Sequence, residues 1–146
     1  MLLTKLIDNN TKLYKCNPQK YTVSGISVNS KDIKKGMIFA AVNGANKKGI
    51  SFVKEATKKG AYAVLCNKSD IKNIKEKKLS ILTSNNIRLS ITEIANKFYP
   101  KQPNFAVAVT GTNGKTSIVD FLRKIWNKNN IKAASIGTLG IQYGSY

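Results

Sequence analysis

Eight consecutive residues, Thr110-Gly111-Thr112-Asn113-Gly114-Lys115-Thr116-Ser117, hold the densest concentration of chemistry in this 146-residue chain. The two glycines permit a backbone that wraps closely around an anion. A helix opening at Lys115 would aim its free N–H groups and the positive end of its dipole at the same point. Lys115 can then reach the terminal phosphates of a nucleotide as a point charge, and the Thr116 hydroxyl can ligate Mg²⁺. Ser117 can touch the α-phosphate or simply occupy the first helical turn. The predicted ligand is a nucleoside triphosphate held by Gly111, Thr112, Asn113, Gly114, Lys115, Thr116 and Ser117, with Thr116 as the metal ligand. The position five before Gly114 is Val109, so the string departs from the full G-x-x-x-x-G-K-[ST] loop.

Such a loop needs a strand before it and a helix after it, and both patterns are present. Phe105 to Val109 is an apolar run too short for a helix. Ile118, Phe121, Leu122, Ile125 and Trp126 form one helical stripe. Ala133 to Ile136 is expected to be the next strand, parallel to the first across a helical crossover.

Upstream, Leu2, Leu3, Leu6 and Ile7 fit a short helix that stops at Asn9-Asn10, and Val23, Ile26 and Val28 mark an extended segment. Met37 to Val42, Ala61 to Cys66 and, more weakly, Ser80 to Thr83 read as buried strands. Between the first two, Ser51 is the expected N-cap of a helix ending at Gly60. Ile87, Ile91, Ile94, Ala95 and Phe98 predict an amphipathic helix over 86–99, which Pro100 and Pro103 terminate. The alternation predicts an α/β fold with a domain boundary at the prolines: residues 1–100 form one domain, and 104–146 begin a second, parallel-sheet domain.

Composition narrows the chemistry. There is no histidine, which removes Cys–His and Ser–His catalysis and ordinary zinc sites. Cys16 and Cys66 read as buried or idle thiols. The formal charge of +18 would suit a nucleic-acid partner. All the cations but Arg88 and Arg123 are lysines, however, and they are scattered rather than massed, which reads as compositional bias. A basic nucleic-acid-binding module is the alternative of a different class, and it would need aromatic stacking platforms. No apolar stretch approaches the roughly 20 residues of a membrane span, and Met1 to Lys12 has no secretion-signal pattern, so a cytoplasmic location is expected.

Three separated blocks carry a family resemblance. Thr110 to Ser117 after an apolar strand resembles the ATP loop of the Mur ligases, the amide-forming enzymes of peptidoglycan precursor synthesis. Gly25-Ile26-Ser27-Val28-Asn29-Ser30-Lys31 followed by Lys35 to Gly44 resembles that family's uridine-nucleotide domain. Gly49, Phe52, Ala56, Gly60-Ala61 and Ala63-Val64-Leu65 continue the same pattern. Thr112-Asn113 and Ser135 to Gly140 look most like the branch that adds a diamino acid as the third peptide residue. A sister ligase of the same superfamily is the nearer alternative.

The resemblance implies a small N-terminal uridine-nucleotide-binding α/β domain followed by the start of a P-loop-type parallel-sheet ATP-binding domain. ATP and Mg²⁺ are the implied cofactors, and Lys115 is the implied catalytic, charge-stabilising residue. The implied partners are UDP-MurNAc-L-Ala-D-Glu and a diamino acid, meso-diaminopimelate or L-lysine; neither nucleic acid nor membrane is among them. Substrate contacts map onto Val28, Ser30, Ala45, Asn46 and Lys47. Asn29 stands where the family has Asp, and Lys31 where it has Arg, which keeps the charge without the forked geometry. The resemblance further implies three domains in such enzymes, so the chain is expected to be an N-terminal fragment that does not catalyse ligation by itself.

Overall fold

Strands buried on both faces alternate their side chains between two cores, and the centre of this chain does so. Ile38 and Ala40, Ala63 and Leu65, and Leu82 point into one apolar cluster, while Phe39 and Ala41, Val64 and Cys66, and Ile81 point into another on the opposite face. The computed structural model describes residues 1–45 and 47–144, and the chain divides into two units, Met1–Gln102 and Pro103–Tyr146.

In the first unit the strands are β1 (Thr11–Lys15), β2 (Ile26–Ser27), β3 (Ile38–Ala40), β4 (Ala63–Cys66) and β5 (Ser80–Ser84), in sheet order β1-β5-β4-β3-β2. β2 to β5 run parallel, with Ile26 opposite Ile38, Phe39 opposite Val64 and Leu65 opposite Leu82. β1 closes the far edge antiparallel to β5. Helix α1 (Val53–Lys58) buries Val53 and Ala56 in one cluster. Helix α2 (Ile87–Phe98) buries Ile87 and Ile94 in the other, and Leu3, Leu6 and Val23 complete that layer. Asn86 caps α2 by accepting from the Leu89 amide at 3.2 Å.

Local details differ from the sequence pattern where tertiary contacts override it. Leu3–Leu6 is a single 3₁₀ turn. Ser51 does not cap α1: it lies in a 3₁₀ turn, Gly49–Phe52, and its hydroxyl donates to the Lys48 carbonyl at 2.7 Å. Cys66 is fully buried, and burial, assisted by Asp70, pushes its thiol up to about 12, whereas Cys16 is exposed.

The second unit contains helix α3 (Lys115–Lys128) and an antiparallel hairpin of β6 (Ala134–Gly137) and β7 (Gly140–Tyr143). Two expectations are corrected here. Phe105 to Val109 carries no strand ladder, and Ala133 to Ile136 contributes to a strand whose partner is β7, antiparallel. A strand needs a neighbour for its backbone groups. Among the described residues, none pairs with 105–109, whereas the Gly137–Gly140 turn gives β6 a local partner. Asn127 ties the helix to this hairpin by donating to the Ala133 carbonyl and accepting from its amide, at 3.2 and 3.1 Å. No helix among the described residues is long and apolar enough to cross a membrane.

Candidate functional site

In the first unit the residues predicted to contact substrate belong to two loops. β2 and β3 are parallel neighbours, so the loops that leave their carboxyl ends start side by side, where ligands of open α/β sheets bind. Val28 and Ser30 follow β2; Ala45 and Lys47 belong to the loop after β3, and Asn46 lies outside the described residues.

Val28 is exposed despite its apolar side chain, and Ser30 is buried. The Ser30 hydroxyl donates to Glu55 Oε2 on α1 at 2.8 Å, and Lys59 Nζ donates to the Lys31 carbonyl at 2.8 Å. Ser30 therefore anchors its loop to α1 and does not present a free donor. Glu55 has no signal in the sequence beyond its place in a short helix.

The second loop is closed at its base. Asn43 Oδ1 accepts from the Gly49 amide at 3.0 Å, and the Gly44 amide donates to the Lys47 carbonyl at 2.9 Å. Gly49 presses on the end of β3 so tightly that an added Cβ would lie 2.4 Å from the Ala41 carbonyl carbon and the Val42 oxygen. Lys47 is exposed, with Nζ 5.9 Å from the centre of the Phe52 ring.

In the second unit the glycine loop opens α3 as the residue pattern requires. Gly111 and Gly114 take φ +138° and +77°, conformations that L side chains rarely adopt. A Cβ at Gly114 would meet nothing within 4 Å, so the backbone there is open to approach. No side chain caps the first turn of α3, and among the described residues the amides of 112–117 have no internal acceptor. Lys115 curls back over the loop, its Nζ donating to the Gly111 carbonyl and, at 3.1 Å, to that of Thr112.

Beside this head lies a cavity of about 210 Å³ whose lining includes Lys115, Thr116, Asp120, Ser135 and Thr138. Thr116 Oγ1 is 3.2 Å from Thr138 Oγ1. Asp120, one helical turn beyond Thr116, accepts from Lys124 at 2.7 Å and Arg123 at 2.8 Å, and these two bonds hold its carboxyl below the usual range. Arg123 is buried and also donates to the Gly144 carbonyl at 2.8 Å. No cluster of three acidic, histidine or cysteine side chains is placed to hold a metal among the described residues. The Thr116 hydroxyl oxygen suits a hard cation such as Mg²⁺, which characteristically takes few protein ligands and completes its shell with phosphate oxygens and water. Thr138 and Asp120 were absent from the predicted site. Gly137 and Gly140 bracket Thr138 in a two-residue turn, but nothing in the residue pattern brings that turn to Thr116.

Residues 22–107 match the model of the Mur ligase family, catalytic domain, and the chain belongs to that family. The match ends before the glycine loop. Among curated relatives are the UDP-N-acetylmuramoyl-L-alanyl-D-glutamate–2,6-diaminopimelate ligases of Mesorhizobium japonicum and Rickettsia conorii. The first is 39% identical over 129 residues, covering 84% of this chain and 26% of that protein. The second is 40% identical over 124 residues, covering 85% and 25%. The chain thus spans about a quarter of the length of these relatives. Among solved structures, the MurF ligase of Thermotoga maritima in complex with ADP is 25% identical with a TM-score of 0.54, over 76% of this chain and 24% of that one. A MurF from Acinetobacter baumannii shares the fold at 19% identity, TM-score 0.57, over 73% and 22%.

Proposed function

We propose that this chain is the front part of an ATP-dependent amide ligase that adds a diamino acid to UDP-MurNAc-L-Ala-D-Glu in peptidoglycan precursor synthesis. In this reading residues 1–100 bind the uridine nucleotide and 104–146 begin the ATP-binding domain. The observation that carries it is the head of α3, where unpartnered amides, Lys115 and Thr116 converge beside one cavity. The relatives' shared name supports 2,6-diaminopimelate as the added amine.

In the complete enzyme the γ-phosphoryl group of ATP passes to the substrate carboxylate, releasing ADP. The amine then attacks the acyl phosphate, forming the amide and releasing phosphate. Catalysis of the first step is electrostatic, because charge on the moving phosphoryl group must be held in line. Amides 112–117 would cradle the phosphates. Lys115 would leave the Gly111 and Thr112 carbonyls to pair with the terminal phosphates, and Thr116 would hold Mg²⁺, which supplies further charge neutralisation. Val28, Ala45, Asn46 and Lys47 would contact the uridine nucleotide, with Lys47 offsetting the diphosphate charge, and Ser30 would act only through the loop it anchors.

The test is a pair of titrations on the 146-residue chain. Lys115→Ala is expected to weaken MgATP binding at least tenfold and to leave the affinity for UDP-MurNAc-dipeptide within twofold of wild type. Equal loss of both ligands would contradict the division into two sites.

A further inference from the structure

Thr138 has no part in the reading above, yet the fold places its hydroxyl against the residue assigned to the cation. Gly137 pairs with Gly140, and Gly140 takes φ +77°, so Thr138 and Leu139 are the two residues of a tight turn. The turn puts Thr138 Oγ1 3.2 Å from Thr116 Oγ1, on the same cavity as Lys115 and Asp120.

A threonine hydroxyl has one proton and two lone pairs. To ligate a cation, Thr116 must turn a lone pair toward the metal and give its proton to a neighbour. A threonine hydroxyl can otherwise rotate and bond backward to a carbonyl three or four residues earlier, here in the glycine loop. Asp120 sits one turn away, with one oxygen bonded to Arg123 and the other to Lys124. Thr138 Oγ1, at 3.2 Å, lies within hydrogen-bonding distance and has lone pairs to accept that proton.

We propose that Thr138 is a positioning residue: it accepts the Thr116 proton and thereby orients the Thr116 lone pairs toward a divalent cation bound with the nucleotide. The inference rests on the reading that Thr116 holds that cation. It assigns a role to the β6–β7 turn, which neither the glycine loop nor the matched residues 22–107 include.

The test measures ATP affinity of the 146-residue chain with Mg²⁺ and with Mg²⁺ removed by chelation, for wild type, Thr138→Val and Thr138→Ser. Thr138→Val is expected to cut the Mg²⁺-dependent gain in affinity about three- to tenfold, the worth of one hydrogen bond, while metal-free ATP affinity stays at the wild-type value. Thr138→Ser, which keeps the hydroxyl, is expected to restore the gain. Electron paramagnetic resonance of Mn²⁺–ATP provides a second readout: its spectrum should change on Thr138→Val and revert on Thr138→Ser. The inference is overturned if Thr138→Val keeps the full Mg²⁺ gain, if it weakens metal-free and Mg²⁺-bound ATP equally, or if Thr138→Ser fails to rescue. A wild-type chain that binds ATP in neither condition overturns this inference and the functional reading together.

Discussion

Single side chains here do double duty as anchors, and Asp8 shows how such a role registers as pH dependence. Its Oδ1 accepts from the Asn10 and Thr11 amides at 3.0 and 2.8 Å, and its Oδ2 pairs with Lys97 of α2 at 3.0 Å. Partial burial pulls its pKa up, but the bonds from Lys97, Thr11 and Asn10 outweigh this and hold it below the ordinary 3.8. A carboxylate depressed in the folded state stabilises the protein above its unfolded pKa and loses that contribution as pH falls through the folded value. Asp8→Asn is therefore expected to cost about 0.5–1 kcal/mol at pH 7, solvent screening included. Urea melts should show the gap between the two proteins closing as pH drops below 3.8; a gap independent of pH would remove the ion pair from the account. Ser30 is an anchor of the same kind: its hydroxyl is bonded to Glu55 and buried, so the part proposed for it in substrate binding passes through the loop it holds.

Among the elements, the loop after β3 depends on Gly49, which packs directly against the end of that strand. Its φ is unremarkable for an L residue; space is what requires glycine, since a side chain would collide with the backbone of Ala41 and Val42. Gly49→Ala is expected to destabilise the first unit by about 1–3 kcal/mol. It should also weaken UDP-MurNAc-dipeptide binding, because Ala45 and Lys47 ride on the displaced loop. Unchanged thermal melting and affinity would show that the loop tolerates the shift.

The central strands and α2 were legible in the residue pattern because burial on two faces, or a stripe at helical spacing, leaves a local trace. β1 left none: Thr11–Lys15 is a lysine-containing edge strand whose place is set by pairing with β5 some 70 residues away. Phe105 to Val109 fails in the opposite sense, an apolar run that has the composition of a strand but no partner among the described residues. The glycine loop and α3 could be read from spacing because their chemistry is local. Thr138 could not, because its contact with Thr116 joins residues 22 positions apart through a turn.

For the molecule as a whole, apolar exposure is distributed unevenly. Both large buried clusters belong to the first unit. In the second, Ile136, Ile141 and Tyr143 are 74–79% exposed on one face of the hairpin, and Ile118, Phe121 and Ile125 lie open along α3. Such surface ordinarily marks a site of further packing, which agrees with a chain one quarter the length of its relatives. In the proposed reading this chain can bind nucleotide, but it should release no phosphate from ATP in the presence of UDP-MurNAc-dipeptide and diaminopimelate. Turnover in a coupled phosphate assay would contradict that.

The formal charge of +18 attracts any polyanion weakly, so a nucleotide experiment belongs at about 0.2 M salt, where diffuse attraction is screened. The most direct test is to titrate MgATP into the ¹⁵N-labelled chain under those conditions and follow each backbone amide by NMR. The account predicts saturable shifts largest at Gly111 to Ser117, abolished by Lys115→Ala and not reproduced by equimolar sulfate. Shifts spread over the surface lysines, or an unperturbed glycine loop at saturating MgATP, would contradict it.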